Sequence, residues 1–60
     1  MDMSQVHIMA KRLIEAHGLK AEVQAAEKFK DAEKARDDEQ MKLWRRVRSA
    51  IREMKAAHES

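Results

Sequence analysis

The chain has sixty residues, 40% of them charged, with one glycine, no proline and no cysteine, so it can form only one small domain, burying roughly 60% of the surface its unfolded form exposes. A core that small usually needs a staple, and without cysteine both disulfides and the tightest zinc sites are excluded, leaving self-association as the leading expectation. The net charge of +2 is spread over mixed-sign faces and is weak support for a nucleic-acid partner.

Helix 1 is expected over about residues 3–17, where Val6, Met9, Ala10, Leu13, Ile14 and His17 follow the i, i+3, i+4, i+7 spacing of one buried helical face. Two starts are open. Asp2 and Gln5 form a capping box with Met1 and Val6 as its staple, or Ser4 caps a slightly later beginning. The stop is set by Gly18 at C′, whose left-handed conformation would bring Leu19 at C″ back onto Ile14 at C3.

Helix 2 is expected over about 19–36. Ala21, Ala25, Phe29 and Ala32 share one face, with Leu19, Val23 and Ala26 beside it, and small residues there allow another helix to come close. The outer face carries Glu27 with Lys30, Asp31 with Lys34 and Glu33 with Arg36, acid-first pairs worth roughly 0.2–0.5 kcal/mol each. A second turn is expected near 36–38, because Asp37 with Gln40 repeats the capping-box pattern and Asp37, Asp38 and Glu39 suit a first turn. The alternative is one bent helix from Leu19 to His58, nearly 60 Å long at about 1.5 Å per residue, which only a dimer could cover.

Helix 3, about 38–58, has one apolar series at Met41, Trp44, Val47, Ile51, Met54 and His58. A second, heptad-like series runs through Leu43, Val47, Ala50, Met54 and Ala57. So wide an arc exceeds what one intramolecular neighbour covers. A contact between chains is therefore expected through Leu43, Trp44, Val47, Ala50, Ile51, Met54 and Ala57. Trp44 is expected to anchor the core or that interface, and Met9, Met41 and Met54 to fill gaps.

The chemistry-bearing residues do not assemble into a reactive site by spacing. His7, His17 and His58 share no i, i+4 step, so no metal site is expected; His17 reads as a C-cap beside Gly18, where an imidazolium also suits the helix dipole. Glu15 and Glu22 flank the Gly18 turn, but so thin a chain offers no obvious concave substrate site. The expectation is a protein that is not an enzyme, with no catalytic residue, cofactor or small-molecule substrate.

Arg45, Arg46, Arg48 and Arg52 are the feature least explained by helix formation, since none has an acid three or four residues away. Arg45, Arg48 and Arg52 share a face that repels itself unless negative charge arrives from elsewhere. Glu15, Glu22, Glu33 or the Asp37–Glu39 turn of another helix or subunit could supply it. The functional alternative is nucleic acid or another polyanion bound by this arginine face. Gly18 invites comparison with a helix-turn-helix, but an acidic helix 2 is a poor guest in a groove lined by phosphates. Asp37, Asp38, Glu39 and Glu53 likewise dilute any membrane-binding face.

No run approaches the ~20 apolar residues of a membrane span. The charges of "MDMSQVHIMAKRLIEAHG" follow its apolar residues, the reverse of a secretory signal, which points to mature, soluble chain. Lack of cysteine fits a reducing cytoplasm. Through "LIEAHG" at 13–18, "AEVQAAEK" at 21–28 and "WRRVRSAIRE" at 44–53, the chain resembles a family of short helical proteins from alphaproteobacteria. The resemblance implies a small cytoplasmic bacterial protein and carries over no activity, cofactor or site residue. Where that family's pattern has Gly-Asp before the tryptophan segment, Arg36 and Asp37 stand here. The expected whole is an all-α, three-helix chain that completes its core as a homodimeric helical bundle and works as a binding or scaffolding protein, with a different protein as the other possible partner.

Overall fold

A computed structural model describes residues 3–58 of the chain, with side chains from 4 to 56. About 94% of the described chain is helical, with no strand, which establishes the all-α class. α1 spans Met3–His17, a one-turn 3-10 segment spans Gly18–Lys20, α2 spans Ala21–Lys34 and α3 spans Asp38–His58. Counted as unbroken helical runs these are two helices, 3–34 and 38–58, rather than the three separate ones expected. The difference has a local cause: the 3-10 turn fills the gap after α1, its Gly18 carbonyl accepting the Ala21 N–H, so no loop separates α1 from α2. A straight run over 3–34 would measure about 48 Å, longer than the 37 Å greatest extent of the molecule. The run must therefore fold over, and it does so at Gly18, whose φ is +57°.

That turn places Leu19 differently from expectation. A helix stop that led straight into loop would return Leu19 to Ile14, but three residues per turn in the 3-10 segment rotate the chain further round. Leu19 is left 84% exposed. His17 occupies the last turn of α1. The candidate cap Asp2 and its staple partner Met1 lie outside the described residues.

The second turn is complete in its hydrogen bonding. At the end of α2 the Asp37 N–H bonds the Ala32 carbonyl at 2.9 Å and the Arg36 N–H bonds the Glu33 carbonyl at 3.0 Å, the paired closure of a Schellman motif. Arg36 takes the left-handed position with φ +55°, where glycine is the usual occupant. Asp37 then opens α3: its carbonyl accepts the Met41 N–H at 3.0 Å and its Oδ1 accepts the Gln40 N–H at 3.2 Å. One residue thus ends α2 and caps α3, which replaces the alternative of a single bent helix. It also removes Arg36 from the helical face on which a pair with Glu33 was expected.

α1 and α2 both pack against α3. Their shared core consists of Val6, Ala10, Ala21, Ala25, Val47, Ala50 and Ile51, with Met9, Leu13, Ile14, Leu43, Trp44 and Met54 partly buried against it. Ile51, Val6 and Val47 are the largest fully buried side chains, and full burial of such a residue contributes roughly 1.5–3 kcal/mol. Trp44, expected to anchor either the core or an interface between chains, is not at the centre of this core. It sits half-buried at the edge, in a shallow groove with Ala32, Ala35 and Asp37 at the end of α2.

The two left-handed residues make opposite predictions. Arg36→Gly relieves a side chain from a conformation that costs about 1–2 kcal/mol, and after the greater chain entropy of glycine is subtracted it should stabilise by about 0.5–1 kcal/mol. Gly18→Ala should destabilise by about 1 kcal/mol through backbone strain alone, because an added Cβ there would meet nothing within 4 Å. Urea unfolding of both variants checks the pair.

Candidate functional site

The proposed seam of α3 is largely used inside the chain. Val47 and Ile51 expose no surface and Ala50 only 5%, so these three are covered within the chain. The physical reason is that α3 has two intramolecular neighbours, not one, and α1 covers the part of its arc that α2 leaves. Leu43, Trp44 and Met54 are half-buried, and the side chain of Ala57 lies outside the described residues.

Apolar surface is instead left over at the Gly18 turn. An open cleft of about 660 Å³ lies between the end of α1 and the end of α3, lined by apolar Ile14, Leu19 and Met54 and by charged Lys11, Glu15 and Lys55. Two other large apolar residues are prominently exposed: Ile8 at 52% and Val23 at 55%. Ile8 shares a face of α1 with Lys11 and Glu15 at i, i+3, i+7, and Val23 stands four residues after Leu19. The sequence patterning missed this surface. Its one signal was a leucine directly after the turn glycine, which the helix-stop rule assigned to the interior.

The arginines separate into different environments. Arg52 Nε donates to Glu22 Oε1 across the α2–α3 groove. Lys55 Nζ lies 3.9 Å from Glu22 Oε2 and donates to the Leu19 carbonyl at 3.5 Å. Glu22 was among the acids expected to answer the cluster, and it is the one that does so for Arg52. Arg45 places its guanidinium carbon 5.8 Å from the Phe29 ring centroid, within cation–π range. Arg46 lies by a shallow cup with His7, Ser49 and Glu53. Arg48 is half-buried, and its Nε is buried without a hydrogen-bond partner.

The hydrogen bond from Arg52 is the main cause that holds the Glu22 carboxyl below its ordinary pKa of 4.5; partial burial opposes it, and the charges of Arg52, Lys55 and Arg48 add to the lowering. Among the described residues no group of three or more His, Cys, Asp or Glu could hold a metal ion. None of the described helices is long and apolar enough to cross a membrane. Compared with known proteins, the chain matches no family model, no curated protein and no solved structure.

Because Glu22 is more acidic in the fold, its pairing stabilises the protein above the ordinary carboxylate pKa and is lost as pH falls through the lowered folded value. Glu22→Gln should therefore lower the thermal midpoint at neutral pH and flatten its fall between about pH 5 and 3, with the difference shrinking in high salt because the groove is open to solvent. Thermal unfolding followed by circular dichroism over that range checks it.

Proposed function

We propose that this is a non-catalytic helical binding or scaffolding protein that acts through helix-to-helix association, and that its first partner is a second copy docked through the face around the Gly18 turn. The observation that carries the reading is Leu19, 84% exposed on the rim of a cleft it shares with Ile14 and Met54. A projecting leucine and an apolar recess in one patch are self-complementary: under a two-fold axis each copy's Leu19 enters the other's cleft.

The charged rim supports the same occupant. Lys11 and Glu15 have opposite signs on one face of α1, so a two-fold axis can set each beside the other's counterpart, as an isologous contact requires. A small ligand would leave Ile8 and Val23 uncovered. An ordinary interface takes about 800 Å² from each partner, a sixth of the 4668 Å² surface of this chain, so it extends beyond the cleft itself. The core offers a further reason, since alanines make up much of it and so small a chain gains from added burial.

Light scattering behind size exclusion, over a concentration series at low and high salt, tests the reading. Wild type should run as a dimer at both salts, and Leu19→Glu should run as a monomer with unchanged helicity, because a charge placed in an apolar interface costs several kcal/mol. Wild type that stays monomeric at every concentration contradicts self-association.

A further inference from the structure

The groove between α2 and α3 holds a row of cations with little negative charge to match it. Arg45, Arg48, Arg52 and Lys55 follow one another at i, i+3, i+7 and i+10 along α3, with neighbours on such a stripe about 5–6 Å apart at Cβ. The contacts of Arg45 with Phe29, Arg52 with Glu22 and Lys55 with the Leu19 carbonyl fix an antiparallel register, because residue numbers fall along α2 as they rise along α3.

In that register Arg48 falls between Phe29 and Glu22, opposite the stretch that contains buried Ala25 and half-buried Ala26. Alanine offers it no acceptor. Its Nε is buried and unpaired, and leaving a donor of a charged group unsatisfied is more costly than leaving a neutral one. Glu22 is engaged by Arg52 and Lys55, and its single charge also acts on Arg48. Arg45, lying over Phe29, is held in place while a guanidinium in that position keeps its N–H edge for an anion.

We propose that this row is a binding site for phosphate-type anions, a phosphoester or polyphosphate, with Arg48 as the central ligand and Arg45 and Arg52 on either side. Planar guanidinium forks match phosphate oxygens two at a time, and α2 gives Arg48 Nε no acceptor of its own. Glu22 competes for Arg52, so it limits affinity and orders the site when it is empty. The proposal does not depend on self-association.

The test is a titration with inorganic triphosphate and, separately, with a short single-stranded oligonucleotide, following the arginine Nε–Hε resonances by NMR. The Arg48 resonance should move most, Arg48→Leu should weaken binding by about tenfold or more, and Arg48→Lys, which keeps the charge but loses the fork, should weaken it less. Glu22→Gln should tighten binding. Arg12→Leu on α1 changes net charge equally at a distant, exposed place and should have little effect. Binding of triphosphate alone assigns the site to small phosphoesters, whereas equal or tighter binding of the oligonucleotide, falling steeply with salt, assigns it to a nucleic-acid backbone. An unmoved Arg48 resonance, or equal losses from Arg12→Leu and Arg48→Leu, overturns the proposal.

Discussion

Ala10, Ala21, Ala25 and Ala50 present only a methyl group each where the helices meet, and that small size lets two helices pack closely against the same Val47–Ile51 stretch of α3. The rest of the fold follows from this close approach. α1 and α2 lie in one unbroken helical run, so both can reach α3 only if the run folds over between them, and Gly18 supplies the left-handed residue at which it does so. A larger side chain in the alanine positions would push one helix away and leave the valine and isoleucine of α3 uncovered.

The same constraint explains where apolar surface remains. α3 spends its widest apolar stretch on α1 and α2, and none of the described helices covers the region beyond the turn. Leu19 and the cleft beside it are therefore left at the end of the molecule where α1 turns into α2 and where α3 runs past them. The charged groove on the α2 side has a parallel origin: the alanines that allow close packing carry no carboxylate, so Arg48 gains proximity without an acceptor. Glu22, one turn away, is drawn into pairing with Arg52 and Lys55 instead.

Much of this architecture was legible in the sequence. Gly18 marked the first turn, Asp37 with Gln40 marked the start of α3, and Ala21 and Ala25 marked a face for close helix packing. The arc of α3 was also legible, but its width could not say whether a second helix of the same chain or another chain covers it, and Val47, Ala50 and Ile51 turned out to be covered from within. Leu19 was misplaced because the helix-stop rule assumes a loop after glycine, whereas here a 3-10 turn follows. Arg36 carried no sign of its left-handed conformation, since arginine is not selected for it and the hydrogen bonds of Asp37 impose it from the next residue. The arginine stripe was visible by spacing, but the choice of Glu22 among several acids depends on the antiparallel register of α2 and α3, which no local pattern encodes.

The central claim is that the Val47–Ile51 stretch of α3 is buried by α1 and α2 of its own chain. Amide hydrogen exchange, measured residue by residue by NMR over a dilution series, tests it most directly, because exchange reports the opening of each part of the structure. The account predicts that the amides of Val47, Ala50 and Ile51 are the slowest in the molecule and stay protected at concentrations where only monomer is present. Protection that appears at these three only as the chain associates would contradict it, since their burial would then come from a second chain.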